Sequence, residues 1–225
     1  KMKPLENIKL KVSSKIHNNL PKKWKKVGDV VILDLKNIDK NKRNKIAKFY
    51  AEELGAKTII QKRRIRGELR KPGKVEILYG KETTTVITEY GISYKIDLSE
   101  IMWSPGNTGW RSALVGPRKV NDFYTFDNPK TIIDYFAGIG YFSLQMAKGY
   151  PQTKVVAIDK NPKSIEYLSM NIEDNNIENI EIIDDDCRNV NVKADVIHLG
   201  YIGNTIDFLE HAYDNLNDKG IVIFH

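Results

Sequence analysis

From residue 131 onward, short apolar runs alternate with amphipathic stretches. TIIDYF (131–136) has the continuous apolar character of a strand buried on both faces, and AGIGYFSLQMAKGY (137–150) opens with a glycine turn and goes on with helical spacing. KVVAID (154–159) is a second strand and PKSIEYLSMNIEDN (162–175) a second helix. IEIIDDD (180–186) and ADVIHLGY (194–201) read as two more strands, TIDFLEHAYDNL (205–216) as a helix and GIVIFH (220–225) as a closing strand. Strand–helix alternation of this kind predicts a doubly wound, mostly parallel α/β sheet with right-handed crossovers.

The first half follows a different pattern. KNKRNKIAKFYAEELG (40–55) places Ile46, Ala47, Phe49, Tyr50 and Leu54 at helical spacing, with Gly55 positioned as a C-terminal cap. KTIIQKRRI (57–65) begins as a strand, and TTTVITEYGISYKIDL (83–98) predicts a hairpin turning at Tyr90-Gly91. MWSPGNTGW (102–110) reads as a loop, and the breaker-rich stretch from Gly116-Pro117 to Asn128-Pro129 as the join between two modules. The expected organisation is a smaller α+β domain over 1–110 and a Rossmann-like domain over 111–225.

Charge sharpens that division. Residues 1–120 hold 28 Lys and Arg against 12 Asp and Glu, a balance of +16, whereas the remainder balances at −9. A basic first module suits a polyanion, and Lys62, Arg63, Arg64, Arg66 and Arg70 crowd one short stretch of it. Arginine's planar fork suits phosphate, so Arg63, Arg64 and Arg66 are the candidate nucleic-acid contacts; the plain alternative is a solvated basic face. The composition, 41% hydrophobic and 29% charged, is that of a folded globular chain. No run of about 18 apolar residues exists to span a membrane, and KMKPLENIKLKV is too charged for a signal peptide. The single Cys187 and four scattered histidines provide no metal motif, so neither a metal nor a membrane partner is expected, and the cytoplasm is the expected location.

The chemistry centres on Asp134-Tyr135-Phe136-Ala137-Gly138-Ile139-Gly140, where a strand turns into a helix and Gly138 and Gly140 let backbone approach a ligand. Asp159, ending the next strand, can bind both ribose hydroxyls, and at Asp185-Asp186-Cys187, ending the third, a side chain can reach an adenine amino group. A dinucleotide site would carry a third glycine where Ser143 stands, and Asp134 would repel a pyrophosphate yet could hold a cationic amino-acid tail, which makes it a candidate cofactor-binding residue. D-x-F-x-G-x-G therefore favours S-adenosyl-L-methionine over a nicotinamide dinucleotide. The bland alternative is a sheet whose turns need glycine and whose acids cap helices.

DYFAGIGYFSLQMAK followed by VVAIDKNPKSIEYLSMNI resembles the archaeal and eukaryotic enzymes that modify the purine 3′ to the tRNA anticodon, on a class I methyltransferase-like fold. PKKWKKVGDVVIL (21–33), YAEELGAKTIIQKRRIRGELRKP (50–72), EYGISYKIDL (89–98) and IMWSPGN (101–107) extend the resemblance over nearly the whole chain. Two sister groups share these motifs. One methylates guanosine N1; the other, the tRNA-wybutosine-synthesising protein 2 family, moves the 3-amino-3-carboxypropyl group of S-adenosyl-L-methionine to 4-demethylwyosine in tRNA(Phe), releasing methylthioadenosine. His198-Leu199-Gly200-Tyr201, with Thr205, is similar to the M-G-Y-x-x-x-T of the aminocarboxypropyl group, where the methylating enzymes resemble N-L-P. The resemblance implies a monomeric enzyme with tRNA as partner, and His198, Gly200 and Tyr201 on the substrate side. It also implies that Ser104 and Arg111 hold the methionyl part, with Phe136 and Cys187 lining the cofactor. This chain departs from the family at Thr108-Gly109-Trp110-Arg111, where K-E-R is usual, and at Gly116-Pro117, which interrupts an expected helix. The family continues past the position of His225, so further strands are expected to complete its sheet. No general base stands out: His198 is the one candidate, and a histidine near a strand end is more often structural. Two other readings remain open, guanosine-N1 methylation and a catalytically inactive RNA-binding protein.

Overall fold

The computed structural model describes residues 3–61, 64–69, 71–103, 109, 111, 126, 128–201 and 203–224, with the side chain of Arg66 also outside the description. The chain forms two compact units, Lys1–Ile87 with Lys95–Trp103, and Thr88–Tyr94 with Ser104–His225.

In the first unit, α1 (Pro4–Leu10) is followed by β1 (Lys25–Val27) and β2 (Val30–Leu33), then α2 (Lys40–Leu54) and β3 (Thr58–Gln61). Two short strands, β4 (Ile65–Arg66) and β5 (Lys71–Pro72), pair with each other before β6 (Ile77–Tyr79). The main sheet runs β1-β2-β3-β6, with β2 and β3 parallel because α2 carries the chain across between them. The α2 helix lies where its periodicity predicts. Asp39 caps it through Asn41 N–H, Gly55 ends it at φ 59°, and Ile46, Ala47, Tyr50 and Ala51 bury its apolar face. These pack with Ile8, Val31, Leu33 and Ile59 in one core. The expected hairpin forms as β7 (Thr84–Glu89) and β8 (Ile92–Asp97), and positive φ at both Tyr90 (50°) and Gly91 (77°) fits a two-residue turn that follows strand twist.

The second unit holds β9 (Thr131–Asp134), α3 (Ser143–Gly149), β10 (Lys154–Asp159), α4 (Pro162–Asp174), β11 (Ile180–Asp184), β12 (Ala194–Leu199), α5 (Leu209–Asn215) and β13 (Leu216–Phe224). The sheet order is β11-β10-β9-β12-β13 and every pair is parallel. The winding reverses beside β9, which places a crevice at its C-terminal end. Ile132, Val155 and Val196 face Phe142, Met146 and Ala147 around α3. Ile133, Val156, Ile158, Ile197 and Leu199 face the opposite layer with Phe208 and Ala212.

Four expectations need correction. Residues 205–208 form a 3-10 turn ahead of a shorter helix, and the last strand begins at Leu216. Its pairing steps from Ala194↔Leu216 to Val196↔Ile221, so the polar Asn217–Gly220 stretch is absorbed as a bulge within the strand, with Lys219 at φ 65°. The third strand stops at Asp184, because Asp186 turns away to cap the 3-10 segment Cys187–Asn189. Of the loop expected over 102–110, Gly109 is helical, as is the adjoining Arg111; residues 104–108 lie outside the described residues. No described helix is long and apolar enough to cross a membrane.

Candidate active site

The glycine turn after β9 is built around two positive-φ residues, Gly138 at 58° and Gly140 at 96°. A Cβ on Gly138 would lie 2.7 Å from the Tyr141 ring, and one on Gly140 would lie 2.6 Å from Leu144, so both glycines are required twice over. The Gly138 N–H donates to Asp159 Oδ2 at 2.8 Å and the Asn161 N–H to Oδ1 at 2.8 Å. Burial pushes the Asp159 carboxyl above the usual carboxylate range, against the opposing pull of these two N–H groups. The residue nonetheless keeps partial exposure at the strand end, open to a hydroxyl-bearing ligand.

Beyond β11, Arg188 grips Asp186 through Nε at 2.9 Å and Nη2 at 2.7 Å, and Lys160 adds a third contact at 3.1 Å. The Arg188 guanidinium, foremost, holds the Asp186 carboxyl well below the ordinary range. Cys187 is buried, and burial followed by the Asp186 charge pushes its thiol up to about 12. The Asp186 carboxylate is thus already engaged by two cations.

Asp134, which the sequence marks as able to hold the cofactor's cationic amino-acid tail, is fully buried, accepting from Ser143 Oγ at 2.6 Å and His198 Nδ1 at 2.9 Å. The serine in the third glycine's place is therefore a partner of the strand-end acid. His198 is fully buried too, with the Phe142 ring centroid 4.3 Å from its own. On the other side of β9, Phe136 packs against Tyr201 at 4.9 Å and Phe208 at 4.8 Å, and Arg188 lies over Phe208.

Arg111 is buried, and its Nε donates to Glu89 Oε2 at 2.9 Å, so a grip on a ligand carboxylate through Nε is already taken. Gln145 Nε2 holds Glu89 from behind through its backbone carbonyl at 3.0 Å and reaches the Tyr94 hydroxyl at 2.8 Å. The sequence reading did not find Glu89, Tyr94 or Gln145. Their only signal was the hairpin turn between Glu89 and Tyr94. Ser104 and Arg63 lie outside the described residues, as does the Arg66 side chain; Arg64 is exposed just before β4. Among the described residues, no group of three or more His, Cys, Asp or Glu is arranged to hold a metal ion.

A family model described as the TRM5/TYW2 methyltransferase domain matches residues 85–225. The chain belongs to that family. A second model, the TYW2 N-terminal domain, matches residues 5–84. Among curated proteins in the TRM5/TYW2 family, the tRNA(Phe) (4-demethylwyosine(37)-C(7)) aminocarboxypropyltransferase of Pyrococcus horikoshii is 38% identical over 212 residues, covering 92% of this chain and 72% of that protein. The solved structure of P. horikoshii TYW2 in complex with MeSAdo superposes with a TM-score of 0.79 at 33% identity, covering 98% of this chain and 78% of that one. The complex of aTrm5 and tRNALeu gives a TM-score of 0.82 at 28% identity, over 98% of this chain and 64% of that one. The glycine turn, Asp159 and the fourth-strand motif all fall within the TRM5/TYW2 match, and the basic Arg63–Arg66 stretch within the TYW2 one.

Proposed function

We propose that this protein transfers the 3-amino-3-carboxypropyl group of S-adenosyl-L-methionine to 4-demethylwyosine in tRNA(Phe), releasing methylthioadenosine. The observation that carries the reading is 38% identity to a curated aminocarboxypropyltransferase along 92% of the chain. The TYW2 match of residues 5–84 supports the same choice over guanosine-N1 methylation.

The residues present suit the cofactor. Asp159 offers a half-open carboxylate for the ribose, Gly138 and Gly140 keep the turn free of side chains, and the Asp186–Cys187 backbone borders the adenine side. Bound there, S-adenosyl-L-methionine supplies a carbon already activated by a neighbouring sulfonium, so the protein's task is orientation. The Glu89-braced Arg111 is suited to the methionyl end, as the resemblance implies for it and for Ser104, with Phe136 and Tyr201 forming an aromatic wall on the substrate side. Atom C7 of the base bonds to the methionine Cγ, the Cγ–S electron pair stays on sulfur as a thioether, and the C7 proton passes to water. His198 is fully buried and engaged with Asp134, which suits a structural role better than that of a general base. The basic stretch that contains Arg63, Arg64 and Arg66 supplies charge suited to tRNA phosphates. In this reading the enzyme works as a monomer in the cytoplasm.

The test is tRNA(Phe) carrying 4-demethylwyosine, incubated with the protein and S-adenosyl-L-methionine, followed by chromatography of the spent cofactor. Methylthioadenosine is expected. S-adenosylhomocysteine would make the protein a methyltransferase, and no turnover with tRNA bound would make it an RNA-binding protein.

A further inference from the structure

The ends of β9 and β12 carry a buried polar cluster. Asp134 and His198 are register partners on these adjacent strands, and both are fully buried. His198 Nδ1–H donates to Asp134 Oδ1 at 2.9 Å while Ser143 Oγ–H donates to Oδ2 at 2.6 Å. One carboxylate thereby fixes the proton on Nδ1 and the plane of the imidazole, and the Phe142 ring closes its other side.

Two residues further on stands Gly200. Its φ lies outside the left-handed region, so the backbone does not call for glycine. The imidazole does: a Cβ on residue 200 would lie 2.8 Å from His198 Cε1 and 3.6 Å from both ring nitrogens. The ring cannot swing aside, because Asp134 and Phe142 hold it. Any side chain at 200 must therefore break the His198–Asp134 hydrogen bond or carry the 200–201 backbone outward. Tyr201, next along, is the residue that packs on Phe136.

We infer that His198, clamped by Asp134 and Ser143, is a positioning residue that sets the path of Gly200-Tyr201 and thereby selects which activated carbon of the sulfonium faces the base. His198 and Gly200 form one steric unit that changes only together. The inference rests on the aminocarboxypropyl reading. A misplacement of about 1 Å at a reacting centre costs on the order of 100-fold in rate, so a shift of this wall reaches the chemistry without contact from His198.

The experiment measures kcat, KM for S-adenosyl-L-methionine and the ratio of methylthioadenosine to S-adenosylhomocysteine for wild type, Gly200→Ala, His198→Asn and the double variant. Asparagine removes Cε1 yet can still donate to Asp134. Gly200→Ala is expected to lower kcat about 10- to 100-fold with KM within about twofold, and to raise the share of S-adenosylhomocysteine. Adding His198→Asn is expected to recover at least about tenfold of that kcat. Losses that merely multiply, or unchanged kcat and product ratio in Gly200→Ala, overturn the inference. Where Gly200→Ala does not fold, His198→Asn alone decides. A raised S-adenosylhomocysteine share supports the inference; a wild-type ratio with only a lowered melting temperature reduces His198 to a structural role and overturns it. Failure of the functional reading is separately visible, because wild type would then release S-adenosylhomocysteine while the 198–200 coupling could still be read in kcat.

Discussion

The backbone N–H of Gly138 donates to Asp159 Oδ2 across 2.8 Å, so the glycine turn after β9 and the carboxylate ending β10 are built as one piece. A ligand that meets one meets the other. Replacing Asp159 removes a turn brace and a charge-assisted acceptor together. Asp159→Ala is expected to weaken S-adenosyl-L-methionine binding by about 2 kcal/mol, read by calorimetry. An unchanged Kd would take the ribose away from this residue.

The same carboxylate predicts a pH dependence. Burial, foremost, raises its pKa above the ordinary carboxylate value. The ionised form is the better acceptor for ribose hydroxyls, so affinity should rise with pH through that raised pKa and then level off. In the cofactor-free protein the linkage runs the other way. A raised folded pKa means that the folded state takes the proton more readily, so this contribution to stability is lost as pH climbs from the ordinary carboxylate value through the raised one. Calorimetric titrations of wild type and Asp159→Asn from about pH 4 to 8 should show a slope in the first and a nearly flat profile in the second.

Cys187 should be inert in the folded protein. With its thiol pushed up to about 12 and its side chain buried, almost no thiolate exists at neutral pH. Iodoacetamide labelling followed by intact-mass measurement should show modification only after denaturation; rapid native labelling would contradict the burial.

The Arg111–Glu89 pair makes a stability prediction. The Arg111 side chain is 1% exposed and that of Glu89 16%, so removing the acid takes a charged partner from a desolvated cation. Glu89→Ala should cost about 3 kcal/mol in urea unfolding, whereas Glu166→Ala, which removes the exposed Lys163–Glu166 pair, should cost under about 1 kcal/mol. Equal effects would show the buried pair to be unimportant.

Charge reversal of Arg63, Arg64 and Arg66 to Glu should weaken tRNA binding and flatten its salt dependence, leaving cofactor affinity intact. Filter binding across a range of salt concentrations measures both. If neither affinity nor slope changes, the stretch is only a solvated face.

Much of this molecule was legible from neighbouring residues alone. A helix end such as Gly55, a turn such as Tyr90-Gly91 and a glycine bend such as Gly138–Gly140 depend on φ limits and spacings within a few positions, which a sequence displays directly. The alternating runs after residue 131 announced a parallel sheet for the same reason. Pairings across the sheet were not legible. Asp134 meets His198 across 64 positions only because β12 lies beside β9, and that adjacency comes from strand order. The stretch Asn217–Gly220 looks like a loop by composition but becomes a bulge, since the register of β12 and β13 is fixed by apolar pairs on both sides of it. Local backbone limits thus set the elements, while the long-range burial of polar groups, each needing a partner once removed from water, decided that Glu89 braces Arg111 and Asp134 holds His198.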